Sequence, residues 1–174
     1  GVGDDFSESM VDIARERHPE LDFRQQAMEE AEPPEEPFDY VLMIQVLGEV
    51  VDLVPALKNV RRFCHPRTRL ITVNFNFLWK KFFQVAAGLG LKTNAPIQNW
   101  LSPDELRDML SLAGFESCIF KRRMMSPLKV GGLGHLVNRG LSWFPLLNRL
   151  NLLHIHACRP VMDQPDREDT SVSV

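Results

Sequence analysis

The chain has 174 residues, 44% of them hydrophobic and 25% charged, with a formal net charge of −3. That composition is globular, and the length suits one domain with a sizeable core. No run of about 18 apolar residues occurs and no basic leader with an apolar centre opens the chain, so neither a membrane span nor secretion is indicated.

The charge is unevenly spread. Residues 1–57 hold 15 acids and 3 bases, whereas residues 58–162 hold 4 acids and 16 bases. Such a split gives an acidic side and a basic side, which either suits an anionic acceptor or lets the two halves attract one another. Cys64, Cys118 and Cys158 are odd in number and far apart, without a CxxC or a nearby histidine at ligand spacing. They are expected to be buried, reduced thiols of a cytoplasmic protein, with no metal site.

In chain order, the first residues read as the end of a strand that closes at Asp5. A helix follows at once, with Ser7 as its N-cap, Glu8 in the first turn, and Met10, Ile13, Ala14 and Arg17 at helical spacing. In an open α/β sheet, ligands lie beyond the carboxyl ends of the strands, where an acidic side chain accepts both hydroxyls of a ribose. Asp5 is placed for that; a plain capped helix start is the alternative. Because residue 1 is Gly and the chain opens on a strand end, it is expected to begin in mid-domain, as a fragment.

Leu21–Gln25 alternates as a short strand, and the glutamate- and proline-rich stretch 26–37 is a solvated loop. Phe38–Ile44 is a continuous apolar run after its entry, the pattern of a strand buried on both faces of a parallel sheet. A helix is expected over 51–64, with Pro55 in its first turn, and Arg69–Phe75 returns as a second buried strand. Strand, helix and strand in that order require parallel neighbours and a right-handed connection.

Trp79–Leu89 is a helix and 92–101 a loop. Ser102-Pro103-Asp104-Glu105 opens another helix, which Gly114 stops. Phe115–Phe120 and Leu152–Cys158 complete the strands. The stretch 124–151 is Gly-rich and apolar with scattered bases. Its Leu133, Leu136, Val137 and Leu141 form a stripe that suits a lid over an acceptor, an interfacial helix at a membrane, or a helix packed on the sheet edge. Residues 161–174 are expected to be a disordered tail.

Three segments, GDDFSESMVDIAR, FDYVLMIQVL and NWLSPDELRDMLSLAGFE, resemble the class I S-adenosylmethionine-dependent methyltransferases, and the resemblance extends over about residues 1–160. It implies a Rossmann-like α/β sheet, mostly parallel with an antiparallel last strand, here without the first strand and its glycine-rich loop. It implies S-adenosylmethionine as cofactor, with Asp5 on the ribose and Phe6 and Met10 against the adenine. Ala27 and Met28 would rim the adenine, and Gln45 and Val46 would lie under the methionine part.

The family often has Asp where this chain has Ala27, which leaves only backbone contacts at Met28. Without the glycine-rich loop, weak or no donor binding is expected of this chain alone. The last segment is also similar to methyltransferase domains found beside glycosyltransferases, which points to a sugar or glycolipid acceptor and a glycosyltransferase partner; no nucleic acid is expected.

Methyl transfer needs in-line approach, and a base only where a hydroxyl must lose its proton. Glu49 is the candidate base. Asn74 and Asn76, at alternate positions where the strand ends, and Asn99 and Trp100 in the loop, are candidates for holding the acceptor. Each has a structural alternative: a helix-start carboxylate, turn asparagines, a core tryptophan. His154 and His156 share one face of the last strand and read as satisfied residues away from the site. The competing functions are a non-catalytic methyltransferase-like scaffold and, less well matched, a nicotinamide-dependent oxidoreductase.

Overall fold

The computed structural model describes residues 1–90, 99–123 and 149–161, the side chains at 82, 83, 86 and 117 excepted. Strand β1 (Val2–Asp5) leads into helix α1 (Glu8–Arg17) and strand β2 (Asp22–Gln25). Strand β3 (Phe38–Ile44), helix α2 (Leu53–Arg61) and strand β4 (Cys64–Phe75) follow. A 3₁₀ turn (Phe77–Trp79) then leads through α3 (Lys80–Gly88) and α4 (Pro103–Leu112) to β5 (Phe115–Arg123) and β6 (Leu153–Pro160).

The strands pair in two sets. β1 and β2 form a parallel pair, and the other four are ordered β3-β4-β6-β5. β3 is parallel to β4, while β6 runs antiparallel between β4 and β5. The expected α/β architecture with an antiparallel last strand is therefore present.

Local signals explain several boundaries. Ser102 accepts from the Glu105 amide while the Glu105 carboxylate accepts from the Ser102 amide, closing a capping box with Pro103 at the first turn. Gly114 ends α4 at φ +82, a left-handed conformation open to glycine, and the Arg61 guanidinium lies 3.1 Å from where a Cβ would stand. The helix expected over 51–64 is shorter: Cys64 already opens β4, pairing with Phe38. Ser7 stands at the N-cap of α1 but its side chain makes no cap bond. Its amide is instead held by Asp5 Oδ1 at 2.8 Å.

The core lies on one face of the four-stranded sheet. Met43 of β3, Leu70 of β4, Cys158 of β6 and Phe115 of β5 pack against Leu53, Ala56, Leu57 and Val60 of α2 and Leu106 and Leu110 of α4. The opposite face is different. Tyr40, Leu42 and Ile44 of β3 are 67%, 61% and 60% exposed, so the strand expected to be buried on both faces is covered on one. Helix α1 departs likewise: Val11 is buried, whereas Met10 and Ile13 of the expected apolar stripe are exposed.

Of the three thiols only Cys158 is buried; Cys118 is exposed and Cys64 lies between, with burial pushing its pKa up to about 11. Val161, the first residue of the expected tail, is held in place. The Val161 amide donates to Gly114 O and its carbonyl accepts from Arg61, while residues 162–174 lie outside the described residues, as does the lid-like stretch from 124 through 148. Among the described residues no helix is long and apolar enough to cross a membrane.

Candidate active site

Candidate residues gather at two places along the carboxyl ends of the strands, the tip of β1 and a cleft beyond β3 and β4. At the end of β1, one oxygen of the Asp5 carboxylate is occupied by the Ser7 amide, and the Asp5 carbonyl accepts from the Gln26 amide. Beside it Gln26 Nε2 is buried without a hydrogen-bond partner among the described residues. Phe6 and Met10, 61% and 53% exposed, stand at the same tip. A free carboxylate oxygen, an orphaned amide donor and two bare apolar side chains are what a nucleoside needs from a protein: partners for its hydroxyls and ring edge, and surfaces for its ring.

Gln26 was not singled out from the sequence. The residue is half-buried, and its Nε2 atom is turned inward in a segment that reads as solvated. The neighbouring residues contribute less than expected. Ala27 O accepts from Glu30 N, and Met28 turns its side chain to the core while its carbonyl accepts from Asn59 Nδ2 at 3.0 Å. Val46 also packs on the core.

The cleft lies beyond β3 and β4. Gln45, Glu49, Asn74, Asn99 and Trp100 line one hollow together with Gly48, Phe75 and Leu101. Gln45 continues the ladder by donating to Val73 O at 2.8 Å, then turns with φ +60, a left-handed conformation uncommon for a residue with a side chain. That turn sends the chain into the Gly48–Val50 loop carrying Glu49. Asn99 pins this loop, its amide donating to Gly48 O and its Nδ2 to Val50 O, both at 2.7 Å. Glu49 itself is exposed and points no hydrogen bond at another described side chain.

This hollow, half open to solvent, has a volume of about 30 Å³, and an adjoining one of about 220 Å³, walled by Val51, Leu53, Val54 and Met109, shares Asn99 and Leu101 with it. The smaller takes a hydroxyl or a water; the adjoining one has room for more.

Asn76 does not belong here. It is fully buried, donating from Nδ2 to the carbonyls of Arg149 and Asn151 and accepting the Leu78 amide at Oδ1. It braces the chain entering β6. The histidines also depart from expectation. His154 and His156 are 4% and 0% exposed, yet His154 Nε2 and both ring nitrogens of His156 lack partners among the described residues. Burial drives both pKa values down to about 4, helped at His154 by the charges of Arg122 and His156 and at His156 by that of Arg107. They are neutral, unsatisfied, and cross-strand from Thr72 and Asn74.

A family model described as a methyltransferase domain matches residues 1–67. The fold is similar to that of a methyltransferase from Haloferax volcanii solved with the Trm112 activator: TM-score 0.71 at 14% identity, covering 95% of this chain and 73% of that one. An S-adenosylmethionine-dependent methyltransferase from Methanosarcina mazei gives 0.65 at 14% identity, with 93% and 82% covered. One from Thermotoga maritima gives 0.65 at 21%, with 91% and 72% covered. No curated protein matches the sequence. The matched segment contains β1 through α2, and over the whole chain the fold is that of S-adenosylmethionine-dependent methyltransferases.

Proposed function

We propose that the chain transfers the methyl group of S-adenosylmethionine to a hydroxyl of a small molecule or sugar held in the hollow beyond β3 and β4. What supports this most is the convergence of Gln45, Glu49, Asn74, Asn99 and Trp100, from three separate segments, on one cleft. The bound donor supplies an electrophilic methyl on sulfur. Asp5 and Gln26 hold its nucleoside, and Phe6 and Met10 cover the ring. In the cleft Glu49 takes the proton from the acceptor hydroxyl, Asn74 orients it, and Asn99 holds the loop that presents Glu49. Confining the two reactants in line supplies much of the acceleration.

A glycan or glycolipid acceptor, and a glycosyltransferase neighbour delivering it, is the narrower form of this reading; it rests on the resemblance of the Asn99–Glu116 segment. The test is methyl transfer from labelled S-adenosylmethionine to a set of small alcohols and methyl glycosides. Glu49→Gln is expected to lower kcat/KM by about 10²–10⁴-fold, the usual contribution of a positioned base. Donor binding, followed by the shifts of the Asp5 and Gln26 amides on titrating S-adenosylhomocysteine into the millimolar range, should be unchanged. Full turnover by the Glu49 variant would remove the assigned base, and an absence of any shift at Asp5 would remove the donor site.

A further inference from the structure

Behind Asn74 the sheet carries a row of polar groups that the reaction above does not use. Register pairs Asn74 with His154 and Thr72 with His156, and on the far side of β6 it pairs His154 with Arg122 and His156 with Phe120. Residues two apart on a strand share a face, so all six stand on the side of the sheet that α2 and α4 cover.

The Phe120 ring closes the row, 5.3 Å from the His154 ring edge-on and 4.7 Å from the His156 ring, with the Arg122 guanidinium 4.7 Å above it. Within the row Thr72 Oγ1, Asn74 Nδ2, His154 Nε2 and both His156 ring nitrogens are buried without partners among the described residues. Each such group costs about 1–3 kcal/mol if left dry. Five of them in adjacent register positions call for a guest that both donates and accepts.

We propose that this row is the deep end of the acceptor pocket and takes an uncharged, hydroxyl-bearing group, bound between Asn74 Nδ2 and His154 Nε2; the inference rests on the reading of the hollow as the acceptor site. Asn74 belongs to both, lining the hollow and pairing with His154. Neutral imidazoles offer one donor and one acceptor each, and the amide offers a donor, so a hydroxyl satisfies them without counter-charge. An anion fits poorly. Glu49 shares the hollow with it, and the nearest cation of the row, Arg122, is turned onto the Phe120 ring. The hollow reaches the row at Asn74, where its small volume admits a single hydroxymethyl-sized group, with the body of the acceptor in the adjoining hollow.

The experiment follows the ring nitrogen resonances of His154 and His156 in the intact chain while ethylene glycol or inorganic phosphate is added. Ethylene glycol is expected to move the His154 Nε2 resonance saturably and phosphate to leave it in place. His154→Phe should abolish the accompanying shift at the Asn74 side-chain amide, and His154→Gln, which keeps a polar tip, should retain part of it. A response to phosphate alone would make this an anion site, and no response to either would make it a closed structural row; both overturn the proposal. Its failure is separable from failure of the functional reading, because S-adenosylhomocysteine reports at Asp5 and Gln26, on different strands.

Discussion

The β1–α1–β2 unit and the four-stranded sheet are built to different standards. In the first, one side chain of the helix, Val11, is buried, and Phe6, Met10 and Ile13 stay open. In the second, two helices seal one sheet face around Ala56, Leu57, Leu70 and Leu110, all at 0% exposure. The contrast teaches that stability resides in the four-stranded sheet and that the N-terminal unit is held by hydrogen bonds: the Asp5 cap on Ser7 and the Asn59 bonds to Met28 O and Ala31 O. A ligand seated on such a unit adds contacts that the protein alone lacks.

The largest expected difference between the two comes from truncating a buried side chain in each. Leu110→Ala should cost about 2–5 kcal/mol in chemical denaturation, since the sealed face collapses poorly around a void. Val11→Ala should cost about 1 kcal/mol, because its surroundings are half-open. Equal losses would show that the two units are equally packed.

Next in size is the acid sensitivity of the sheet. The folded-state pKa of each buried histidine is about 4, below its ordinary value of 6.5. The unfolded chain therefore binds protons first as pH falls. Stability is fully present above pH 6.5 and is lost as pH drops through 4, by roughly 2–3 kcal/mol per histidine over that window. Arg122 and Arg107 deepen the depression and Asp104 opposes it. His156→Phe should flatten the profile of stability between pH 7 and 4; a profile as steep as that of the unaltered chain would place the titration elsewhere.

Smaller again are two changes at the ends of α4. Gly114→Ala should cost about 1–2 kcal/mol, for the left-handed backbone and the Arg61 guanidinium that would have to withdraw. Ser102→Ala, which opens the capping box, should cost about 1 kcal/mol. Thermal denaturation distinguishes them, with Gly114→Ala the lower in Tm.

The contrast between the units also marks what could be read from the sequence. The strands, the Pro55 and Pro103 helix starts and the Gly114 stop are written in local residue types, and all appear. The Asp5 tip and the convergence of Glu49, Asn74, Asn99 and Trp100 were also accessible, because strand ends place them at one edge. Coverage was not: Phe38–Ile44 reads the same whether one or both of its faces are packed, since an apolar run says nothing of what lies across from it.

Nor could Asn76 be told from Asn74 by spacing. Its partners Arg149 and Asn151 are 73 and 75 residues away. His154 and His156 were visible as one face of a strand. Which face depends on their register against Thr72 and Asn74, a long-range pairing that no short pattern encodes.

The smallest expected effect on stability is the one that sharpens the comparison most. Met10 is 53% exposed on α1, so Met10→Ser should change the denaturation free energy by no more than about 0.5 kcal/mol. If an exposed apolar residue there is simply tolerated, nothing else should change. If instead Met10 covers the nucleoside ring, the same substitution should weaken S-adenosylhomocysteine binding several-fold, seen as a rise in the concentration needed to shift the Asp5 and Gln26 amides by half. Ile13, one helical turn further from the tip, is exposed to a similar degree and provides the control: Ile13→Ser should leave both stability and binding near their starting values. Equal weakening by both variants would mean that the helix as a whole, rather than its first turn, responds to the ligand, and the donor site would then have to be drawn along α1 instead of at the Asp5 tip.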